Sequence, residues 1–302
     1  MPARDVLLGV VVGVVWGVNF VVIDEGLHGV PPLLFVALRF TVVVLPAVFL
    51  VRRPAMPWRE VVLVGLFLSV GQFGLLYTAL HLGMPPGLAA LVLQAQVMLS
   101  VLIAALGLGE APGRRQLAGI AVGTAGLAIV GIGRAEGTPA IGIVLTLAAA
   151  LSWAFGNVVV RRGGVASGLS LTVWSALVVP VPLLALSLLL DGPATVGHAV
   201  THLSGTALLS TAYTAYLASL VGYGVWTSLL ARHPAASVVP FALLAPPVAM
   251  VASWWWQGVT PNLAESSGGV LLLVGVFVTV LRRRPRRTST WVPDPDALAA
   301  RR

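Results

Sequence analysis

Ten long apolar runs follow one another along the chain, and short polar segments separate them. Most runs are about 18 to 22 residues long, enough to span roughly 30 Å of hydrocarbon at 1.5 Å per helical residue. They are continuous rather than alternating, and backbone groups in lipid must be satisfied within their own segment, so helices are predicted. The fold class predicted is an all-α membrane protein with ten transmembrane helices. The predicted spans are 5–23, 32–51, 60–80, 85–106, 116–133, 139–160, 169–190, 205–230, 236–256 and 265–281.

Composition indicates that lipid surrounds the chain. Of its 302 residues, 58% are hydrophobic and only 9% are charged, whereas a soluble domain carries about 25% charged residues. A soluble globule of this length could not hide so much apolar surface from water. The first run is longer than the core of a signal peptide, so we expect it to be retained.

The arginines predict the topology. All 18 basic residues are arginine, and 16 of them lie at the termini or in the even-numbered gaps between helices. Arg134 is the exception on the opposite side, and Arg39 lies within helix 2. Cytoplasmic loops are enriched in basic residues, so both termini are predicted to be cytoplasmic. The same clustering accounts for the net charge of +8, and no nucleic-acid partner is expected.

The two halves of the chain resemble each other weakly. Trp16-Gly-Val-Asn19 in helix 1 is echoed by Trp153-Ala-Phe-Gly-Asn157 in helix 6. Each half holds five helices, and because five is odd the second half must enter the membrane from the opposite side. Inverted repeats of this kind are typical of secondary transporters. The predicted domains are a first five-helix repeat at 1–134, a second at 135–284 and a disordered cytoplasmic tail at 285–302.

Arg39 is a charged residue about 10 Å below the predicted outer end of helix 2. Placing arginine at such a depth costs at least ~2.5 kcal/mol on insertion scales, so something must compensate. One interpretation is that Arg39 binds an anionic group of a transported solute. The other is a structural tie to loop carbonyls, or to Asp24 and Glu25 at the outer end of helix 1. The sequence leaves both open.

Amide side chains are the other polar groups at depth. Asn19 in helix 1 is interpreted as lining a solute pathway, whereas Asn157 is expected to make an interhelical hydrogen bond of about 1 kcal/mol, with the pathway as its alternative. Gln72, Gln94 and Gln96 fall near the midplane of helices 3 and 4. Gln94 and Gln96 point about 200° apart, so at most one of them faces a central cavity squarely. Which one does so stays open.

Aromatic residues form a stripe on helix 8. Tyr213, Tyr216, Tyr223 and Trp226 fall within an arc of about 140° on that helix. The stripe can form one wall of a cavity for small polar solutes, although packing and interfacial anchoring is the alternative for Tyr213 and Trp226. Tyr223 lies between two glycines and is the better candidate. The aromatic residues predicted to line the pathway are Trp16, Trp153, Tyr223 and Trp226.

The sequence offers little for catalysis. It has no cysteine, which excludes disulfides, thiol catalysis and thiolate metal sites. It shows no nucleophile pair, no metal cluster and no Gly-rich phosphate-binding motif with lysine, so no enzyme, metal site or cofactor is predicted. No acid is expected deep in a helix. Glu110 at the inner end of helix 4 is therefore the possible coupling residue, and a solvated loop charge beside Arg114 and Arg115 is its alternative interpretation.

Several segments resemble the EamA-type branch of the drug/metabolite transporter superfamily, over roughly residues 5–281. The most specific are Gly83-Met-Pro-Pro-Gly-Leu-Ala-Ala-Leu-Val-Leu-Gln-Ala-Gln96 and Leu145-Thr-Leu-Ala-Ala-Ala-Leu-Ser-Trp-Ala-Phe-Gly-Asn157. The resemblance implies a ten-helix fold and export of small amino-acid metabolites, of the O-acetylserine/cysteine kind, across the bacterial plasma (inner) membrane. In that branch helices 4 and 9 usually end with an acid. Here helix 4 keeps Glu110, but helix 9 ends at Gln257, so half of a possible acidic pair is missing.

The sequence therefore predicts a secondary transporter whose partners are a small amino-acid-like solute and the lipid bilayer. The alternatives are the same fold transporting another metabolite or drug, and a non-transporting membrane scaffold or receptor. The exact substrate and the oligomeric state stay open. Because no acid is expected at depth, solute should move down its own gradient or by exchange, with at most weak proton coupling.

Overall fold

The computed structural model describes residues 1–133, 138–163, 168–233 and 235–280, and this part of the chain is mostly helical. A short helix, Pro193–Thr201, lies between the seventh and eighth long elements. Arg134 and the predicted tail 285–302 lie outside the described residues. The ten long elements are α1 Ala3–Gly26, α2 Pro32–Leu50, α3 Trp58–His81, α4 Pro86–Leu108, α5 Arg114–Ile132, α6 Ala140–Arg162, α7 Gly168–Leu190, α8 Gly205–Arg232, α9 235–257 and α10 Leu263–Val280.

Nine of these elements in the described chain are long and apolar enough to cross a membrane, which confirms the prediction of long apolar helices. The remaining element, α9, is not one regular helix. It consists of a four-residue helix, Ala235–Val238, a 3-10 helix, Val239–Leu244, and a helix, Ala245–Gln257. Pro240 lies in the 3-10 segment. Proline lacks a backbone N–H and clashes with the preceding turn, so a regular α-helix is not expected to run through it undisturbed.

Two further elements are interrupted. In α4 the α-helix stops at Val92 and resumes at Ala95. Between them the N–H of Gln94 bonds the carbonyl of Leu91, three residues back rather than four. In α7 the helix breaks after Ala176 and resumes at Pro180. Pro180 has no N–H to donate to the carbonyl of Ala176, four residues back, and its ring crowds that carbonyl, which accounts for the second break.

Wider π-helical turns occur in α3 and α8. They span Gly65–Gly71 and Tyr213–Val221, the third helix of each predicted half. A π-helix bonds residues five apart, so at its ends the regular ladder shifts and carbonyl groups become available to other donors. In lipid such carbonyls need a partner, because no water is there to supply one.

Side chains from neighbouring helices donate to one carbonyl in each π-turn. The Ser152 hydroxyl of α6 donates to the Phe67 carbonyl in the π-turn of α3, at 2.7 Å. The Trp16 indole of α1 donates to the Ala218 carbonyl in the π-turn of α8, at 3.0 Å. Each π-turn is thus held by a helix from the other half of the chain.

Close glycine contacts pack α5 against α10. A Cβ added at Gly126 would lie 2.5 Å from the Gly268 carbonyl oxygen, and one at Gly119 would lie 2.7 Å from the Gly275 carbonyl oxygen. Small residues let two helix backbones approach closely where lipid gives no hydrophobic driving force. The glycines of α5 therefore form its contact surface with α10.

The buried core lies chiefly among α2, α3 and α4, where Phe35, Tyr77 and Leu91 are fully buried. Many large apolar side chains point outward instead, including Leu106 and Trp255. An apolar exterior over a packed interior is the arrangement expected when lipid is the outer solvent.

Candidate functional site

Arg39 is buried in the interior of the helical bundle, with 2% of its surface exposed. Its Nη1 donates to the Tyr77 hydroxyl of α3 at 2.8 Å. Its Nη2 donates to the Ser219 hydroxyl of α8 at 3.0 Å. The guanidinium therefore joins α2, α3 and α8, while its Nε has no hydrogen-bond partner.

The structure does not support the predicted tie between Arg39 and Asp24 or Glu25. No carboxylate of the described residues lies within ion-pair distance of Arg39, and its hydrogen bonds go to hydroxyls rather than loop carbonyls. The guanidinium carbon lies 4.3 Å from the Phe73 ring centroid and 5.2 Å from that of Phe40. Aromatic faces attract a cation but do not neutralise it. A buried positive charge is thus left without a counter-ion among the described side chains.

The π-turn of α8 prepares Ser219 to accept from Arg39. The Ser219 hydroxyl donates its own proton to the Thr214 carbonyl, five residues back, at 2.8 Å. A hydroxyl has one proton and two lone pairs, so the lone pairs are left to face the guanidinium. The π-turn of α8 therefore fixes one of the two neutral acceptors of Arg39.

Two aromatic residues of α8 pack against Trp16 of α1. Its ring centroid lies 5.3 Å from that of Tyr223 and 5.1 Å from that of Trp226. Gly222 makes this approach possible, because a Cβ there would lie 2.8 Å from the Trp16 indole nitrogen. The same helix carries Ser219, which accepts from Arg39. Three of the predicted aromatic residues are therefore in one cluster, on α1 and on the helix that also bonds the arginine.

Two predicted amides lie elsewhere in the interior. Asn19 in α1 is buried, and its Oδ1 has no hydrogen-bond partner. Gln72 is also buried and is the first α-helical residue after the π-turn of α3. Both are therefore polar groups well inside the bundle.

A second polar group joins α4 to α6. The Asn157 amide nitrogen donates to Gln96 Oε1 at 3.0 Å and to the Ser100 hydroxyl at 3.1 Å. This matches the interhelical hydrogen bond expected for Asn157. Gln94 is partly buried at the break in α4, and Trp153 packs partly buried against the core. The structure therefore brings Gln96 and Asn157 together and places Gln94 apart from them.

Charged residues join helices at the end of the bundle that holds Arg52, Arg161 and Arg232, here called the basic end. Glu110 pairs with Arg161 of α6, with both carboxylate oxygens 2.6 Å from Nη2. The ion pair is thus made with Arg161 at the end of α6, and not with Arg114 or Arg115, beside which Glu110 lies in the sequence. Both side chains of the pair are about half exposed.

Asp5 is a buried acid at the same basic end. Its Oδ1 accepts from Arg232 Nη1 at 2.9 Å, and its Oδ2 lies 2.6 Å from His233 Nε2. Only 4% of Asp5 is exposed. Asp5 lies in the first turn of α1, so it is buried without lying deep in a helix.

The opposite end of the bundle, here called the far end, has its own polar contact. The Gln257 amide of α9 donates to Asp24 at 2.8 Å and to Glu25 at 3.1 Å, both in the last turn of α1. A cavity of about 360 Å³ opens beside this group. At the end of helix 9, where the resemblance implied an acid, the chain thus has an amide donor that faces two acids.

Sequence reasoning missed Tyr77, Ser219 and Asp5. Tyrosine and serine are ordinary in membrane helices, so only their position beside Arg39 distinguishes them. The one available signal was that a buried arginine must have partners among the hydroxyls of neighbouring helices. For Asp5 the signal was His233 and Arg232, which the chain places 228 and 227 residues away.

Two full-length relatives resemble this chain. It is 39% identical over 293 residues to the "Probable amino-acid metabolite efflux pump" of Escherichia coli strain K12, covering 95% of this chain and 98% of that protein. It is 40% identical to the protein of the same description from Salmonella typhimurium strain LT2, covering 96% and 99%. The similarity therefore extends along nearly the whole chain.

The fold is also seen in a solved structure. A protein described only by its crystal structure superposes with a TM-score of 0.59 at 23% identity, covering 92% of this chain and 96% of the other. The model of the EamA-like transporter family matches residues 4–132 and again residues 140–281. Together with the two relatives, this match shows that the chain is a multi-pass membrane protein that belongs to the EamA-like transporter family.

Proposed function

We propose that this protein is a secondary transporter that exports small amino-acid metabolites, of the O-acetylserine/cysteine kind, across the bacterial inner membrane. The observation that carries the proposal is the full-length similarity to two proteins described as probable amino-acid metabolite efflux pumps. The buried arginine at the centre of the bundle agrees with it, because an amino-acid metabolite carries a carboxylate.

The proposed architecture has ten membrane crossings in two inverted five-helix repeats, 1–134 and 135–284, followed by a cytoplasmic tail 285–302. The composite element α9 is then the tenth crossing. The two π-turns support the repeat, since each lies in the third helix of its half and each is bonded by the first helix of the other half. The basic end is then cytoplasmic.

The solute pathway is proposed to run past Arg39 and the cluster of Trp16, Tyr223 and Trp226. Asn19 joins it because its oxygen is buried without a partner. Gln94 is proposed to face the pathway in preference to Gln96, because Gln96 Oε1 already accepts from Asn157. The full set of proposed pathway residues is Trp16, Asn19, Arg39, Gln72, Gln94, Trp153, Tyr223 and Trp226, while Gln96 and Asn157 are assigned to the hydrogen bond between α4 and α6.

The polar contacts at the two ends are proposed to act as gates. At the basic end Glu110, two residues after α4, meets Arg161 of α6, and at the far end Gln257 of α9 meets the acids of α1. In an inverted repeat α4 corresponds to α9 and α6 to α1, so the two contacts are equivalent with donor and acceptor exchanged. The exposed Glu110–Arg161 pair is worth about 0 to 1 kcal/mol, so it can open readily.

Counterflow tests the proposal. Proteoliposomes containing the purified protein are loaded with an unlabelled amino acid or its acetylated form, and uptake of the labelled compound is followed. We expect counterflow with cysteine and O-acetylserine, and none in liposomes without protein. Counterflow only with unrelated metabolites or drugs would assign the fold another substrate. An absence of flux with every solute would point to a scaffold or receptor.

A further inference from the structure

We propose that Arg39 is a specificity-determining residue that binds the carboxylate of the solute. The α-ammonium group of the solute, in this proposal, forms no ion pair with the protein. The inference rests on the proposed export function and sharpens its substrate class. The solutes it selects are small monocarboxylates, whether their amino group is free or acylated.

The first step is the uncompensated charge of Arg39. Only 2% of its surface is exposed, and none of the ion pairs in the described chain includes it. Buried charges are normally paired, because a lone ion in an apolar interior is strongly unfavourable. Tyr77 and Ser219 supply dipoles rather than a negative charge. The site is thus complete only when an anion enters it.

The second step is the free donor. Arginine has five N–H groups in a planar fork, and the Nε–H of Arg39 has no partner. The hydrogen bonds to Tyr77 and Ser219 hold the Nη groups on the other side, so the guanidinium cannot turn freely. An oriented guanidinium with a free N–H fits a planar carboxylate well. Tyr77 and Ser219 are positioning residues in this arrangement.

The third step concerns the negative charge of the solute that the site can accept. Every other described arginine lies at a helix end or in a loop, so Arg39 is the one cation in the interior of the described bundle. A single fixed positive charge matches a monocarboxylate. A doubly charged phosphate or dicarboxylate would bring a second negative charge into the interior with no cation to meet it.

The last step concerns the amino group of the solute. Each Asp and Glu in the described ranges lies in a loop or near a helix end, so no acid in the interior can pair with an ammonium group. Near Arg39 the structure offers Tyr223, Trp16 and Trp226, which present ring faces and no negative charge. Acylating the amino group therefore removes no ion pair from the complex.

Competition against labelled cysteine counterflow tests this on the wild-type protein. The competitors are unlabelled cysteine, N-acetylcysteine and cysteine methyl ester, and reducing agent can be present because the chain has no cysteine. We expect N-acetylcysteine to inhibit within about threefold of cysteine, and the methyl ester to be at least about tenfold weaker. An ester as potent as the free acid, or an N-acetyl form that fails to compete, overturns the inference.

Variants assign the effect to Arg39. Arg39→Gln should lower counterflow at least about tenfold, and Arg39→Lys should retain part of it because lysine keeps the charge without the fork. The matched control is Arg53→Gln, which removes an arginine stacked 4.3 Å from the Trp58 ring centroid outside the proposed site. The control should transport normally.

The positioning residues need a separate readout. Tyr77→Phe and Ser219→Ala should raise the half-saturating cysteine concentration several-fold and narrow the difference in potency between acid and ester. A purely structural role would lower the amount of active protein without changing that ratio. If Arg39→Gln does not fold, the wild-type competition series still decides.

The outcomes separate this inference from the proposed function. Absence of counterflow with any solute overturns both. Counterflow with cysteine that tolerates the methyl ester, or that survives Arg39→Gln, leaves the export function standing and rejects Arg39 as the carboxylate site.

Discussion

At the scale of single residues, polar side chains inside this bundle are held mainly by hydrogen bonds to neutral groups. Arg39 is held by two hydroxyls, Asn157 by an amide and a hydroxyl, and Trp16 by a carbonyl. Hydrogen bonds of this kind are worth about 1 kcal/mol each in membranes. They orient side chains without fixing the helices permanently, which suits a protein whose helices must move.

The contact between Trp16 and Gly222 can be tested with a matched pair of glycines. In Gly222→Ala the new Cβ would lie 2.8 Å from the Trp16 indole nitrogen, so the ring must shift and its hydrogen bond to Ala218 should break. We expect a loss of about 1 kcal/mol of stability and a several-fold lower counterflow rate. In Gly224→Ala the Cβ meets nothing within 4 Å, so this control should behave as wild type. Equal behaviour of the two variants, measured by thermal unfolding in detergent and by counterflow, contradicts the assignment.

At the scale of helices, the bundle mixes regular and irregular elements in an ordered way. The pair α5 and α10 is uninterrupted, and the glycines between them bring their backbones together. Irregular turns are confined to α3, α4, α7, α8 and α9. Non-helical backbone is tolerated at membrane depth where it lies against protein or lines a cavity. The irregular helices are therefore expected to line the pathway together with Trp16 and Asn19 of α1 and Arg39 of α2.

The α5–α10 contact gives a second matched pair. In Gly126→Ala the Cβ would lie 2.5 Å from both the Gly268 carbonyl oxygen and the Leu272 backbone nitrogen, and backbone atoms cannot move aside cheaply. We expect a lower unfolding temperature in detergent, from a loss of about 1 to 3 kcal/mol. In Gly197→Ala, in the short helix Pro193–Thr201, the Cβ meets no atom of the described chain within 4 Å, so this control should leave the unfolding temperature unchanged. Similar unfolding temperatures for the two variants would show that close packing is not needed here.

The sequence predicts the existence of helices better than their interruptions. Length and apolar character alone lead to the first run, 5–23, which the structure extends to Ala3–Gly26. The π-turns follow instead from contacts between distant parts of the chain, such as the bond from Trp16 to Ala218, 202 residues apart. A local sequence pattern carries no information about contacts between residues so far apart. The break in α7 is the exception, because Pro180 is visible in the sequence and lacks the N–H that a regular helix needs at that position.

The candidate site is predictable to a similar extent. Arg39 and Tyr223 are conspicuous as polar residues within apolar runs, and the structure places them within electrostatic range of each other. Ser219 is not conspicuous, because its importance comes from the hydroxyl that the π-turn aims at Arg39. A buried charge can thus be found from the sequence, while its neutral partners depend on tertiary packing.

At the scale of the whole molecule, topology is the most direct prediction. Sixteen of the 18 arginines lie in segments that the ten-helix arrangement puts on one side. Positive residues are retained in the cytoplasm, so a reporter fused after residue 302 should be cytoplasmic and one inserted near Gly192 should be external. The paired fusion is its own control, because the two reporters must give opposite signals. An external signal from the C-terminal fusion contradicts the ten-helix arrangement.

The last prediction concerns the energy source of transport. A proton-driven exporter needs a group that exchanges protons between the two aqueous sides, and acids within membrane helices usually provide it. In the described chain the acids lie near helix ends, and Arg39 keeps its proton at any accessible pH. We therefore expect solute to move down its own gradient or by exchange, which is enough to export a metabolite that accumulates inside.

An imposed pH gradient tests this without any solute gradient. Proteoliposomes should show no concentrative accumulation of cysteine under these conditions, while counterflow in the same preparation confirms that the protein is active. Accumulation would show that protons drive transport, and two variants would then locate the group. Asp5→Asn removes the buried acid that holds Arg232 and His233, whereas Glu110→Gln removes the half-exposed acid paired with Arg161. Asp5 is the buried one of the two acids and contacts a histidine. Loss of accumulation in Asp5→Asn alone would therefore place proton coupling at the basic end of α1. It would not be placed at the proposed gate formed by Glu110 and Arg161.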